Sequence, residues 1–414
     1  MSEKRALGWL FSLADQERGV GWNPRSSPDE QWKLGRTRAL LDLAGAPDRQ
    51  LRVVLVAGTK GKSSTCAMLA SILGAHGVRV GLYTKPHLQS YRERVRVDGQ
   101  AIAPRDFSQA VQRMRQLVER IPQEAGEPTT FEVTTALAID VFQRARCDIA
   151  VVEVGLGGRL DATNALDPEL SLITPISHDH TAILGRTLRA IASEKAGIFR
   201  HGRPALVAAQ RPSALRALRR AARAADAHLE LVPPLAGEVP QFGSHQRQNA
   251  ALAIAAARCM APVTDVEARR GLERLRVPGR FEVVDDVVLD GAHNDASAQA
   301  LAQALSDFAA GRPLNLVLGL NRDKDARAVL KPLLPLAARV WVTQTSDNPR
   351  ALPATELAGW CRRLGYAAEV LPNLSAALRA AREGSGLVCV TGSLLLVGRA
   401  RALLGVPVPE RLWD

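Results

Sequence analysis

The run RVVLVAGTKGKSS, residues 52–64, restricts the possible folds more than any other feature of this chain. Arg52–Ala57 is almost wholly aliphatic, without the polar alternation of a half-exposed strand, and so reads as a strand buried on both faces. From Lys62 to His76 the spacing becomes helical, with Met68, Leu69, Ile72 and Leu73 on one face and Gly77 as a stop. Between the two lies Gly58–Ser64 (GTKGKSS), in the strand–loop–helix context that a phosphate-binding loop requires. Glycines let backbone N–H groups close around a phosphate, and the helix N-terminus adds its dipole. Lys62 would reach the β- and γ-phosphates, and a hydroxyl just after it would hold Mg²⁺. The common pattern G-x-x-x-x-G-K-[ST] has glycine where this chain has Val56, so a glycine-bearing turn capping an ordinary helix also fits.

The same alternation continues. Val78–Tyr83, Asp148–Val154 and Leu170–Ile176 read as further strands, and about Gln246 to Met260 as a helix preceded by Gly243. The pattern breaks at Pro278–Gly279 and restarts with Val283–Leu289, Leu314–Leu318, Arg339–Thr343, Ala367–Leu371 and Leu387–Val390, separated by helices. This is an α/β chain with mostly parallel sheets, long enough at 414 residues for two domains. The boundary falls near 282, giving units 1–282 and 283–414, the second a doubly wound unit of its own.

Composition removes several classes. No long uncharged apolar run predicts a membrane helix, and the first residues lack the apolar core and cleavage site of a signal peptide. Cys66, Cys147, Cys259, Cys361 and Cys389 are scattered with no C-x-x-C pair, which suits a reducing cytosol better than a disulfide framework or zinc ribbon. The net charge of +12 points either to an anionic partner or to arginines on solvated helix faces, as in Ala214–Ala224. Aromatics are too few to interleave with the basic residues as stacking platforms, so nucleic acid is not the expected partner.

Other segments carry chemistry. In Glu153–Asn164 (EVGLGGRLDATN) a carboxylate stands at the end of a buried strand, where α/β ATPases keep a metal acid, and the glycines permit close backbone approach to a ligand. A glycine-rich loop with a solvated glutamate is the plainer reading. In Ser177–Ile198, His178 and His180 flank Asp179 directly after a strand. A His-x-His pair can suggest zinc, but no third ligand at zinc spacing is visible, which favours His180 on magnesium or a substrate oxygen. Gln246–Asn249, Pro278–Phe281 (PGRF) and Leu289–Asn294 (LDGAHN) are weak singly. Asp290, His293 and Asn294 nonetheless cluster at a strand's C-terminal end, where open α/β sheets bind ligands.

Taken in order, these segments resemble the folylpolyglutamate synthase/dihydrofolate synthase family of the Mur ligase superfamily. The resemblance covers nearly the whole chain, including Leu34–Asp48, Pro86–Gly99 (PHLQSYRERVRVDG), Phe131–Ala138 (FEVTTALA), Asp179–Gly185 (DHTAILG), Glu194–Phe199 (EKAGIF), Asp290–Asn294 and Asp323–Asp325. The run EVGLGGRLDATN followed by DHT…LG…EKAGI is its most specific part. It implies an N-terminal P-loop ATPase domain, a C-terminal Rossmann-like domain and ATP between them. It also implies that Gly58, Thr59, Gly61, Lys62, Ser63 and Ser64 cradle phosphate, with Lys62 on the γ-phosphate. Ser64 and Glu153 would hold one Mg²⁺, His180 a second, and Lys195 would be carbamylated. Asn249 and Arg280 would contact ATP from the first domain, Asp290 and His293 from the second. Three departures stand out: Lys60 and Ser63 replace the asparagine and second glycine of G-T-N-G-K-G-S, Lys85 replaces a serine before P-H-L, and Asp295 replaces the proline of H-N-P.

The implied activity is ATP-dependent amide-bond formation, joining glutamate to a folate or dihydropteroate carboxylate through an acyl phosphate, by a monomer acting on small molecules in the cytoplasm. A Mur-type ligase with another acceptor, or a non-catalytic paralogue binding nucleotide and pterin, would share many of these residues.

Overall fold

The computed structural model describes residues 1–14, 34–122, 126–241, 243, 245–345, 348–409 and 411–413. Two sheets organise them. The first has eight strands in the order β4-β3-β2-β5-β1-β6-β7-β8. Its strands are β1 (Arg52–Ala57), β2 (Val80–Tyr83), β3 (Val95–Val97), β4 (Gln100–Ala101), β5 (Ile149–Glu153), β6 (Leu170–Ile173), β7 (Pro204–Ala208) and β8 (His228–Val232). All pairings are parallel except those of β3 with β2 and β4.

Both faces of this sheet are buried, which is why β1 shows no polar alternation. Val53, Leu55 and Ala57 join one core with the helix Thr130–Arg144, while Val54 and Val56 join a second with the helices Lys62–Ala75 and Gln246–Met260. The strand β1 lies between β5 and β6, with Val56 paired to Glu153. The phosphate-loop candidate and the Glu153 carboxylate therefore emerge side by side at the C-terminal edge of the sheet, the usual ligand edge of a doubly wound fold.

The second sheet runs β13-β12-β11-β14-β10-β9. Its strands are β9 (Glu282–Val284), β10 (Val287–Asp290), β11 (Leu314–Leu318), β12 (Ala337–Val342), β13 (Glu369–Val370) and β14 (Leu387–Thr391). The single strand expected over Val283–Leu289 is a hairpin: β9 and β10 pair antiparallel, Val284 against Val287, and Asp285 takes φ +54°. Aspartate tolerates that left-handed conformation, so the Asp285–Asp286 pair inside the apolar run is the turn signal. The strands β7 and β8 were not anticipated. The arginines of the helix Pro212–Ala224 (Arg216, Arg219, Arg220 and Arg223) are exposed, so that part of the basic charge is a solvated face.

The halves meet beyond the linker. After the last helix, Leu394–Leu403, the chain returns to the first half, where Leu412 and Trp413 are buried in its core. Leu412 donates its N–H to the Gly99 carbonyl at 3.0 Å and accepts from the Arg276 N–H at 2.8 Å. Among the described residues no helix is long and apolar enough to cross a membrane. The cysteines are all free thiols.

Candidate active site

The loop after β1 is shaped by two glycines. Gly58 has φ +147°, and a Cβ there would lie 1.8 Å from Thr174 Oγ1. Gly61, at φ +85°, caps the helix Lys62–Ala75, and a Cβ on it would lie 2.2 Å from Asn249 Oδ1. Asn249 is thus brought against the loop from a distant helix, with its Nδ2 donating to Gln246 Oε1 at 2.8 Å. Thr59 acts as a brace rather than an open donor. Its N–H goes to the Pro175 carbonyl at 3.1 Å, and its hydroxyl joins the backbone of Ser177 at 3.2 Å. The Lys60 N–H is also taken by Pro175, at 3.3 Å. The donors left for a phosphate are those of the helix's first turn, which lack intrahelical acceptors. Lys62 folds back over its own loop, donating to the carbonyls of Gly58 (3.2 Å) and Thr59 (3.4 Å).

Glu153 is 3 % exposed, with both oxygens engaged. Oε1 accepts from Ser63 Oγ at 3.0 Å and Oε2 from the Lys85 N–H at 3.1 Å. Burial raises its pKa, while Lys62 and these hydrogen bonds oppose the rise. The hydroxyl on Glu153 belongs to Ser63, a residue that departs from the family loop; Ser64, the expected metal partner, is buried one position further along the same helix. A buried carboxylate beside a hydroxyl suits a small hard cation. Mg²⁺ retains several waters and needs only one or two carboxylates, so a site without three clustered acidic, His or Cys ligands, none of which occurs among the described residues, still fits it.

The glycines of 153–164 permit close packing within the protein itself. A Cβ on Gly158 would lie 2.7 Å from the carbonyl oxygens of Glu194 and Lys195, and one on Gly155 would meet Asp161 and Phe131 at 2.7 Å. Gly158 thus admits the end of the helix Leu188–Lys195, while Gly155 makes room for Asp161 and Phe131. Asp161 fixes the loop by accepting the N–H groups of Leu156 (2.7 Å) and Thr163 (3.0 Å). Lys195 is thereby enclosed and only 5 % exposed. Burial first, and then the charge of Lys62, pull its pKa down to about 7, against Asp179 and Asp161. Its neighbour Glu194 pairs with Arg159 at 3.0 Å, so Lys195 is not a surface lysine held by Glu194. His180 is exposed in a left-handed turn at φ +48°, with Nε2 3.8 Å from Asp179 Oδ1. His178 is exposed as well.

The second half brings its residues to the same edge. Asp290 ends β10, but its oxygens are occupied by the N–H groups of Phe281 (2.8 Å) and Ala292 (2.9 Å). Burial raises its pKa, opposed by Arg280. Nδ1 of His293 lies 2.8 Å from the Gly291 carbonyl, which fixes the ring and directs Nε2 away from that contact. Arg280 lines the cleft between the halves, opposite Ser63 and Lys85. Partial burial pulls the Lys60 ammonium below its ordinary range; Asp179 opposes this, and the charges of Lys62, Arg280 and Lys324 add to it. Four cations from both halves therefore converge on one edge. Lys324, inside the DKD run, was not singled out from sequence, although that run marked its position.

A model of the Mur ligase middle domain matches residues 56–232, and one of the Mur ligase glutamate ligase domain matches residues 279–394. The dihydrofolate synthase/folylpolyglutamate synthase of Bacillus subtilis is 34% identical over 90% of this chain and 94% of its own length. The folylpolyglutamate synthase of Mycobacterium tuberculosis complexed with ADP superposes with TM-score 0.86 at 32% identity, covering 97% of this chain and 98% of that one. The bifunctional folylpolyglutamate synthase/dihydrofolate synthase of Yersinia pestis, complexed with AMPPNP and a Mn ion, superposes with TM-score 0.82 at 30% identity over 98% of each chain.

Proposed function

Because the chain belongs to the folylpolyglutamate synthase/dihydrofolate synthase family of Mur ligases, we propose that it joins L-glutamate to the carboxylate of a folate or dihydropteroate at the expense of ATP. One observation carries this reading to the site itself. Lys62, Glu153 and Lys195, from three separate segments, share one electrostatic neighbourhood at the edge of the first sheet, faced by Arg280 at the cleft.

Carboxylate and amine do not condense in water at a useful rate. The substrate carboxylate attacks the γ-phosphorus of ATP in line, the bond to the bridging oxygen breaks, and ADP leaves behind an acyl phosphate. The glutamate nitrogen then attacks the acyl carbon and loses a proton, and phosphate departs as the amide forms. Lys62, released from its loop carbonyls, spreads the charge of the transferring group, with Arg280 facing it from the linker and Lys324 from the second half. Asn249, packed against Gly61, would contact ATP beside the first helical turn. We assign one Mg²⁺ to Ser64 and Glu153, with Ser63 beside them, and a second to His180 and a carbamate on Lys195. These ions would supply charge neutralisation at the phosphates. The carbamate arises when neutral Lys195 Nζ attacks CO₂ and gives up one proton, converting a buried cation into an oxygen donor that Mg²⁺ prefers.

We place the nucleotide-binding unit in residues 1–282 and the C-terminal ligase unit in 283–414. The two separate sheets support this to within the linker Leu275–Phe281, since β9 begins at Glu282. A monomer in a reducing cytoplasm, handling small molecules and not nucleic acid, accords with five free thiols and with basic charge spread on solvated helices. Phosphate release and amide formation with ATP, Mg²⁺ and glutamate test the proposal, comparing dihydropteroate, tetrahydrofolate and a UDP-muramoyl peptide. Turnover with the peptide alone, or none with any acceptor, would overturn it.

A further inference from the structure

The segment Leu88–Ser90 of the first half is inserted into the second half, and one buried arginine ties it there. Glu93 gathers the loop, its oxygens accepting the N–H groups of Leu88 (2.8 Å), Gln89 (3.0 Å) and Ser90 (2.6 Å). The loop's shape is therefore set within its own half. Its outer side fits where glycines leave room. A Cβ on Gly398 would lie 2.6 Å from the Leu88 carbonyl oxygen, and one on Gly279 would lie 3.2 Å from the Leu88 methyls. Across this contact Arg401, with a side chain 0 % exposed, donates Nη1–H to Gln89 Oε1 at 2.9 Å. Its Nε–H lies 3.1 and 2.9 Å from the two oxygens of Glu282, the first residue of β9. Glu282 Oε2 also accepts the Gly279 N–H at 2.8 Å, one residue before Arg280.

Desolvating a guanidinium is unfavourable, and apolar packing could fill the same volume at least as stably. What the ion pair adds is a defined geometry among three segments: the inserted loop, the linker and the last helix. The inserted loop begins at Lys85, whose N–H reaches Glu153 and whose carbonyl lies 3.2 Å from Ser63 Oγ. A short chain of contacts thus runs from the proposed metal carboxylate to the linker that carries Arg280.

We propose that Arg401 is a positioning residue, which through Gln89 and Glu282 holds the two halves in the register that keeps Arg280 at the phosphate loop and closes the cleft to water. The inference rests on the ligase reading above. Arg401 touches no reacting atom; it acts through Glu282 and Gly279. Its loss loosens the cleft, so water competes with the glutamate amine for the acyl phosphate.

Gln89→Ala removes the hydrogen bond between the halves, together with the Gln89 methylene packed at Gly398, and spares the Arg401–Glu282 pair, so it carries the test even where Arg401→Lys folds poorly. Phosphate released per amide formed, near unity in the wild type, should rise about threefold or more in Gln89→Ala, while kcat for amide falls about tenfold and Tm stays within about 3 °C. The double variant with Arg401→Lys should be no worse than Arg401→Lys alone. An unchanged ratio overturns the proposal, whether Tm falls, as a purely structural role requires, or stays. Additive effects in the double variant overturn it as well. Should wild-type protein form no amide, the ligase reading fails and small-angle scattering decides the latch alone. A larger radius of gyration for Gln89→Ala supports it, and an unchanged one overturns it.

Discussion

In the first half of the molecule the chemical groups stand at strand and helix ends, buried and in one another's field: Glu153 under Ser63 and the Lys85 N–H, and Lys195 enclosed by the 153–164 loop within reach of the Lys62 charge. In the second half the corresponding side chains face their own backbone. Asp290 holds Phe281 and Ala292, and His293 holds Gly291. Phe281 even takes φ +49°, a conformation that costs an aromatic residue of order 1 kcal/mol and that the Asp290 hydrogen bond helps maintain. The first half keeps its chemistry in desolvated charges. The second contributes the shape of the loop that presents His293 and, through Asp290 on Phe281, steadies the linker that carries Arg280. Substitutions in the first half should therefore act on the chemical step, and those in the second on binding and alignment.

The sharpest break of this comparison is Lys62→Ala. It should lower kcat by about a hundredfold or more, the scale of a lost transition-state charge clamp, with Tm nearly unchanged because the lysine binds only its own loop. Activity above about a tenth of wild type would leave the loop as a mere helix cap.

Next comes Lys195, for which Lys195→Ala should cost about as much as Lys62→Ala and Lys195→Glu distinctly less, since a carboxylate replaces the carbamate at shorter reach. With its pKa pulled down to about 7, only about a tenth of the side chain at pH 6 is the neutral amine that takes up CO₂. CO₂-depleted enzyme should thus recover with bicarbonate quickly at pH 8 and poorly at pH 6; equal recovery at both would break the carbamate assignment. The same depression has a stability consequence. Folding favours the neutral form, so unmodified protein loses stability as pH falls from the ordinary lysine range towards about 7, and this group contributes no further loss below it. Thermal melts in CO₂-free buffer read that slope.

A smaller effect belongs to the second half. Asp290→Asn turns one acceptor into a donor facing a backbone N–H, with a loss of about 1–3 kcal/mol in stability. It should raise KM for ATP about tenfold and leave kcat at saturation within a few-fold. A collapse of kcat at unchanged KM would place Asp290 in the chemistry instead and erase the contrast between the halves. Smallest of all is Lys85→Ser. Lys85 Nζ lies 4.6 Å over the Phe131 ring at the cleft, so its removal should raise KM for a polyglutamylated substrate by about threefold and for dihydropteroate by less. Equal shifts for both substrates would show that this charge reads no glutamate tail.

Much of the fold was legible because its cause is local. A strand buried on both faces must be aliphatic throughout, as Arg52–Ala57 and Leu314–Leu318 are, and both were bounded from sequence as they stand in the fold. Edge elements escaped for the same reason in reverse: β4 has two residues and β8 is mostly exposed, so neither carries a strong pattern.

By itself, then, the amino-acid sequence determined the two α/β units, the phosphate-loop candidate and, through the order of its motifs, the family. Only the tertiary structure decided how those motifs are used. It set Gly158 against the helix end that carries Lys195, placed Ser63 instead of Ser64 on Glu153, and turned Asp290 onto the backbone of its own loop. It also joined Gln89 to Arg401 across 312 positions of chain, a pairing with no local signal. The physical reason is the range of the forces involved. Burial pattern and turn chemistry are written within a few residues, whereas a desolvated charge acquires its partner, and its pKa, only from segments that folding brings beside it.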